Sequence, residues 1–382
     1  MLSVEELKRY QRHIIIPEFG IACQEKLKAA KVLVVGSGGL GNPLSLYLAA
    51  AGVGTIGIVD GDVVEETNLQ RQILYNTDDI GSNKVETAKK KLRALNPFID
   101  VIVLNTWLTR ANAMEIIADF DIVADGTDNF ATRYLVNDAC VFLGKANVYA
   151  SIFQFEGQVS VFNHKDLNSD ERGPNYRDLY PSPPPPDLVP SCAVGGVLGV
   201  LPGIIGSLQA LEVIKIITGI GETLSGRLFT FDALTFETRT FSVRKDPSNP
   251  LTGEHPTIRE LIDYNEFCQV QTETPVKEIS AEEFDKIRSS DEVQLIDVRE
   301  PEEYSIFNVG GQLIPLKDIP DNYEAISRDK KVVVYCKSGG RSKKAIRLLQ
   351  DKYGFDNLYN LKGGLMEYVE RIEPSLATHF FV

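Results

Sequence analysis

Lys31-Val-Leu-Val-Val-Gly36-Ser-Gly38-Gly39-Leu-Gly41 decides how the first half of this chain folds. Val32, Leu33, Val34 and Val35 make a short, largely β-branched run that reads as a buried strand, and residues 44–51 read as a helix. The glycines between them permit a tight turn and leave backbone N–H groups open to an anion at the positive end of that helix. A glycine-rich turn without a ligand is the plainer reading. A strand before the glycines and a helix after them, however, are the context that a nucleotide-phosphate loop requires.

The alternation continues outward from this loop. Residues 55–59, 101–104 and 122–125 read as strands and residues 83–95 and 111–117 as helices, the pattern of βα units that build a mostly parallel sheet. Residues 151–162 then alternate apolar and polar, and 227–243 hold further β-like runs, so antiparallel strands are expected and the sheet is mixed. Pro181-Ser-Pro-Pro-Pro-Pro186 excludes helix and predicts an extended surface loop. From 245 to 275 turn residues and charges dominate, densest at Asp246-Pro-Ser-Asn-Pro-Leu-Thr-Gly253. The expected division is therefore a first domain over 1–245, a linker over 246–276 and a small α/β domain over 277–382. That last domain is expected to have a Glu- and Lys-rich helix from 277, strands at 293–297 and 331–335, and a helix starting near Ser342. No internal repeat is visible.

Composition narrows the function classes. At about 150 residues per domain, 382 residues predict two or three domains. Apolar residues at 43% and charged residues at 24% suit folded cores. Lys plus Arg total 40 against 53 Asp plus Glu, and the net charge of −13 opposes DNA or RNA backbone binding as a main activity. Five cysteines with no Cys-x-x-Cys pair show no disulfide framework and no thiolate zinc site, which suits a reducing, cytoplasmic setting. The charged amino-terminal stretch does not read as a secretory signal. Residues 193–211 carry no charge and approach membrane-spanning length, but their glycines, Pro202 and Gln209 fit a packed core or dimer helix better, so no membrane is expected.

Asp60 ends the second strand, where a carboxylate can accept from ribose hydroxyls, and at this point NAD and ATP are both open. Beyond it lie Asn68-Leu-Gln70-Arg71-Gln, Lys84-Val-Glu and Thr127-Asp128-Asn129. Arg71 and Lys84 can neutralise phosphate charge, Asn68 and Gln70 can orient it, and Asp128 can hold a metal on a polyphosphate. Each alone would usually be a solvated charge or a cap; together, after a phosphate loop, they point to a triphosphate.

Arg9-Tyr-Gln-Arg12-His-Ile-Ile, the glycine loop, Asp60-Gly-Asp62 and these three motifs together resemble the MoeB/ThiF family, which adenylates ubiquitin-like sulfur-carrier proteins. The intervals agree with that family: eleven residues from Asp60 to Arg71, thirteen to Lys84 and forty-four to Asp128. The resemblance, over about residues 1–245, implies a Rossmann-like mixed-sheet adenylation domain and ATP with Mg²⁺. By the same resemblance Gly38, Gly39 and Gly41 line the phosphates and Asp60 holds the ribose. Asn68, Arg71 and Lys84 contact phosphates, Asp128 holds magnesium, and Arg12 reaches the ATP of a partner subunit in a homodimer. A terminal carboxylate is already an anion at neutral pH, so attack on the α-phosphorus needs alignment and charge screening rather than a general base.

The sequence departs from the family where many relatives carry two zinc-binding Cys-x-x-Cys pairs. Gly173-Pro-Asn-Tyr-Arg-Asp178 and Asp246-Pro-Ser-Asn-Pro-Leu-Thr252 stand there instead, so no structural zinc is expected. Cys192 sits where relatives have a cysteine proposed to join the carrier transiently; a small buried thiol is the competing reading. Cys23, Cys140 and Cys268 read as structural.

In the last domain a strand delivers Cys336-Lys337-Ser338-Gly339-Gly340-Arg341-Ser342 into a helix. The helix end, loop N–H groups, Lys337 and Arg341 are expected to stabilise a thiolate, against the alternative of a buried structural cysteine. With Asp297-Val-Arg299-Glu-Pro-Glu-Glu303-Tyr, Ile314-Pro-Leu and Leu361-Lys-Gly-Gly364, this loop resembles a small α/β rhodanese domain. Four residues separate Cys336 from Arg341, as in sulfur-transferring members, whereas related phosphatases use a longer loop. Phe307-Asn-Val-Gly-Gly311 departs from the His-Ile-Pro-Gly common in relatives.

The two resemblances imply one enzyme, an adenylyltransferase and sulfurtransferase. It would adenylate the C-terminal glycine of a ubiquitin-like carrier ending in Gly-Gly. A Cys336 persulfide, loaded by a cysteine desulfurase or thiosulfate, would then convert the adenylate to a thiocarboxylate. Such products feed molybdopterin, thiamine, cysteine or tRNA thiolation, and the motifs do not choose among them. Three rivals are an NAD-dependent oxidoreductase with a rhodanese appendage, an ATP-dependent tRNA-base dehydratase and a non-catalytic carrier-binding scaffold.

Overall fold

The structure, a computed structural model, describes residues 1–165, 171–184, 196–268 and 276–374. The chain divides into two units, 1–271 and 272–382. In the first, eight strands form one sheet: β1 (Lys31–Val35), β2 (Thr55–Val59), β3 (Asp100–Leu104), β4 (Ile122–Asp125), β5 (Ala146–Phe153), β6 (Glu156–Phe162), β7 (Arg227–Asp232) and β8 (Thr238–Ser242). Their order is β3-β2-β1-β4-β5-β6-β7-β8, parallel from β3 through β5 and antiparallel from β5 onward. The mixed α/β sheet is thus as the sequence predicts, and the expected alternation over 151–162 is the β5–β6 hairpin.

β1 sits at the centre and is buried on both faces, which is why it is almost wholly apolar. Val32 and Val34 join one core with Leu44 and Leu48 of the Gly41–Ala51 helix and Val85 and Leu92 of the Lys84–Leu95 helix. Leu33 and Val35 join the opposite core with Tyr134, Val136 and Ala139 of the Phe130–Phe142 helix. The Leu201–Thr218 helix is long and apolar enough by composition to cross a membrane, yet half of it is buried within the unit. Gln209 on that helix donates from Nε2 to the carbonyls of Asp125 at 2.8 Å and Val148 at 2.7 Å, tying it beneath the ends of β4 and β5.

The expected linker begins too early. Asn249, Leu251, Leu261, Tyr264 and Cys268 are buried, and the hydroxyl of Tyr264 donates to Asp138 at 2.9 Å inside the first unit. Asp138 also receives a bidentate hydrogen-bonded ion pair from the fully buried Arg177. Turn-rich composition signalled a connector, but these long-range contacts make residues 246–268 part of the first unit.

The same segment is clasped to residues 175–178. Asp178 accepts from the backbone N–H and Nδ2 of Asn175 at 2.7 and 3.0 Å, from the Asp246 N–H at 2.9 Å and from Asn249 Nδ2 at 2.7 Å. Asn175 Nδ2 also donates to Thr252 Oγ1 at 2.8 Å. Asn175 and Asp178, like Asn249 and Thr252, are three positions apart, the spacing of a Cys-x-x-Cys pair. Hydrogen bonds therefore join the two segments. Among the described residues no group of three or more His, Cys, Asp or Glu is arranged to hold a metal.

The second unit is a five-stranded parallel sheet in the order β11-β10-β12-β13-β9: β9 (Lys277–Ile279), β10 (Val293–Asp297), β11 (Gln312–Leu313), β12 (Lys331–Tyr335) and β13 (Leu358–Leu361). Residues 277–279, expected to open a helix, form an edge strand; the helix follows at Ala281–Ile287, capped by Ser280. Central β12 sends Val332 and Val334 to one core and Val333 and Tyr335 to the other.

Replacing Asp178 with alanine strands the donors of Asn175, Asp246 and Asn249. The expected cost is about 1–3 kcal/mol of stability, read by urea unfolding. A chelator should leave the wild-type midpoint unmoved; a chelator-dependent loss would show that a metal, not this clasp, joins the segments.

Candidate functional site

The C-terminal ends of β1, β2 and β4 open onto a cleft of about 220 Å³. Gly38, Gly39, Asp60, Asn68, Arg71, Lys84 and Asp128 all line it, although they are spread over ninety residues of sequence. The loop is shaped by Gly36, whose φ of +89° favours glycine, and by Gly41, where an added Cβ would stand 1.9 Å from the Gly36 carbonyl oxygen. Gly41 is not among the residues lining the cleft and packs against the Gly36 carbonyl at the start of the helix.

Asp60 is fixed by two backbone donors, Ser37 N–H to Oδ2 at 2.7 Å and Asp62 N–H to Oδ1 at 2.8 Å. Asn42 Nδ2 donates to the Ser37 carbonyl at 2.9 Å, and its Oδ1 accepts the Leu74 N–H at 3.0 Å, which hangs the segment carrying Asn68 and Arg71 from the glycine loop. Lys84 is nearly buried, with Nζ 2.9 Å from the half-exposed carboxylate of Asp62. Arg71 donates from Nη1 to the Thr67 carbonyl at 3.0 Å. A half-solvated carboxylate and a neutral carbonyl are weak holders, so both cations can turn to a polyanion.

Asp128 is exposed at the cleft, next to the fully buried Asp125. Thr127 donates to Asp125 Oδ1 from N–H at 2.9 Å and from Oγ1 at 2.6 Å, while Oδ2 has no hydrogen-bond partner among the described residues. Burial pushes the Asp125 carboxyl above its ordinary range, against the pull of Arg133. Arg133 is a lining cation that the sequence reading missed; it is held between the rings of Phe130 at 5.7 Å and Tyr149 at 5.5 Å. Its position one turn into the helix after Asp128 was the available signal. Trp107, also missed, lines the cleft near Asp60. Arg12 lies exposed on the Gln11–Ile14 helix and does not line the cleft of its own chain. Cys192 lies outside the described residues.

In the second unit Cys336 leaves β12 and sits almost fully covered, at 1% exposure. The Gly339 N–H points at its Sγ from 3.2 Å and the Ser342 hydroxyl lies 3.4 Å away. Ser342 Oγ also lies 2.6 Å from Asn360 Oδ1, and both residues are fully buried. Gly363 and Gly364 both have positive φ, and a Cβ on Gly364 would stand 2.6 Å from the carbonyls of Cys336 and Lys337. At Gly364 the loop is thus backed by main chain. Lys337 and Ser338 are exposed, while Gly339 is buried and Gly340 opens the Gly340–Tyr353 helix.

Arg341 lies near enough to Cys336 for their charges to interact, as expected, but its hydrogen bonds go elsewhere. Its guanidinium forks onto Glu303 at 2.6 and 2.7 Å, and those hydrogen bonds hold the Glu303 carboxyl down to about 2. Arg299 and Asp297 form a second, buried pair at 2.6 Å beside it. Cys23, Cys140 and Cys268 are buried among apolar side chains, and burial pushes the Cys268 thiol up to about 11.

Comparison with known proteins agrees with both halves. The ThiF family matches residues 10–251 and the rhodanese-like domain matches residues 280–371. A probable adenylyltransferase/sulfurtransferase MoeZ of Mycobacterium tuberculosis is 47% identical over 388 residues, covering 99% of this chain and 96% of the relative. A sulfur carrier protein adenylyltransferase of Thermus thermophilus is 53% identical over 264 residues, covering 69% of this chain and 97% of the relative. Among solved structures, Escherichia coli MccB with ATP superposes with a TM-score of 0.55 at 25% identity, covering 64% of this chain and 73% of that one. The chain therefore belongs to the ATP-using ThiF family, followed by a rhodanese-like domain, and is an adenylyltransferase and sulfurtransferase.

Proposed function

We propose that the chain adenylates the C-terminal glycine of a ubiquitin-like sulfur carrier ending in Gly-Gly and then installs sulfur on it from a persulfide of Cys336. What carries this reading is that Gly38, Gly39, Asp60, Asn68, Arg71, Lys84 and Asp128 share one cleft in a chain that also holds a Cys336 loop lined by donors. Gly38 and Gly39 receive the phosphates on backbone N–H groups, Asp60 accepts from the ribose, and Asn68, Arg71 and Lys84 screen the triphosphate. Arg12 serves the cleft of a second copy in a homodimer.

Asp128 is the residue that would hold a magnesium ion. An ion of this kind takes one or two carboxylates and shares the substrate's phosphates, so one exposed carboxylate beside the phosphate loop suits it. When bound, that ion screens the charge of the triphosphate.

The carrier carboxylate attacks the α-phosphorus and pyrophosphate leaves, giving an acyl-adenylate. The terminal sulfur of the Cys336 persulfide then attacks the acyl carbon and AMP leaves, giving an acyl disulfide. Attack of an external thiol on Cys336 Sγ releases the carrier thiocarboxylate and leaves Cys336 in a mixed disulfide, which a second equivalent of that thiol reduces; Cys192 is the candidate for a transient bond to the carrier. Thiosulfate or a desulfurase-borne persulfide supplies the sulfur.

Three outcomes follow from these roles. Asp128→Ala should lower carrier-dependent exchange of labelled pyrophosphate into ATP by about 10², the scale of losing one electrostatic group in an active site; undiminished exchange would remove Asp128 from the role. Cys336→Ser should abolish the added sulfur seen by mass spectrometry after thiosulfate treatment while leaving exchange intact. Because Glu303 is held from its ordinary 4.5 down to about 2, its pairing stabilises fully above about 4.5 and is lost as pH falls toward 2. The Tm advantage of the full chain over Glu303→Gln should therefore be present at neutral pH and shrink through that acid window.

A further inference from the structure

We propose that Trp107 is the base platform of the nucleotide cleft, its indole face stacking on the adenine of ATP. The inference rests on the nucleotide reading above and names the group that holds the base. Three adjacent strands end side by side at the cleft: β1 with the glycine loop, β2 with Asp60, and β3, whose Leu104 pairs with Val59. The Asp60 N–H donates to the Leu104 carbonyl at 3.2 Å, so the chain beyond β3 flanks Asp60 on the side away from the glycine loop. A nucleotide with its phosphates at β1 and its ribose at β2 must place its base on that side.

Trp107 stands there. It lines the cleft and is 60% exposed, a large apolar ring left open to solvent beside a polar site. The ring lies against Gly61, where an added Cβ would be 2.9 Å from the indole Cε2 and Nε1. The backbone beneath it is pinned: Asn112 Nδ2 donates to the Trp107 carbonyl at 3.0 Å, and Asn112 Oδ1 accepts the Thr109 N–H at 2.7 Å. The side chain is thus held with one face on the glycine backbone. Stacking on an aromatic ring tolerates any base, so Trp107 separates nucleotides from bare polyphosphates more than adenine from guanine.

Trp107 is the only tryptophan of the chain, so its emission reports on this position alone. Titration of the full chain with ATP should quench that emission, whereas tripolyphosphate, which carries no base, should leave it unchanged. Trp107→Ala should raise the KM for ATP in pyrophosphate exchange roughly tenfold with kcat retained, and Trp107→Phe, which keeps an aromatic face, should recover most of that loss. ATP-saturated protein with unquenched emission, or an alanine variant with unchanged KM, would overturn the platform while leaving ATP chemistry standing. Wild-type protein that neither binds nor exchanges ATP would overturn the nucleotide reading and this inference together.

Discussion

The carbonyl oxygen of Gly36 stands where any side chain at position 41 would have to be. That contact lets the Gly41–Ala51 helix begin hard against the end of β1, and it fixes where the helix N-terminus points. Much of the cleft hangs from it. Asn42, the next residue, reaches back to the loop and across to Leu74; Ser37, inside the loop, holds the Asp60 carboxylate. A bulkier residue at position 41 would disturb the glycine loop, Asp60 and the segment carrying Asn68 and Arg71 together, because each is referenced to the same turn.

The polar groups of the cleft and of the Cys336 loop are arranged by different means. The cleft of the first mixes cations with carboxylates and keeps Lys84 and Arg71 on weak local acceptors, so positive charge is stored near neutrality and can be redirected. The Cys336 loop instead uses a backbone N–H and a buried hydroxyl, while its arginine is committed to Glu303 and braces the loop end. A fixed brace at its end helps keep the Cys336 loop in shape.

Much of this was legible in the sequence because it is written at strand ends. Gly38, Gly39, Asp60 and Asp128 each follow a strand of the parallel sheet, and such ends converge on one crevice. Asn68, Arg71 and Lys84 were read from their chemistry and their placement after the glycine loop as well as from a family pattern, and all three reach the same cleft. What was not legible depends on distant contacts. Arg341 meets Glu303 across thirty-eight positions, and Tyr264 meets Asp138 across one hundred and twenty-six, which turned a supposed linker into packed structure. Arg133 had a local signal, its place one turn into the helix after Asp128, whereas Trp107 carries none and tertiary packing alone brings it to the cleft. Gly41 was read as a phosphate contact; that its Cβ position is taken by the Gly36 carbonyl was not legible, because spacing does not show which backbone a glycine meets.

The central claim is that the two chemistries act in series on one carrier. The full chain should be incubated with ATP, magnesium, thiosulfate and a Gly-Gly-ended carrier, and the intact carrier weighed by mass spectrometry. The account predicts that one oxygen of its terminal carboxylate is exchanged for sulfur only when both ATP and Cys336 are present. A carrier that stays unmodified while the chain is adenylation-competent and persulfidated, or one that gains sulfur without ATP, would contradict it.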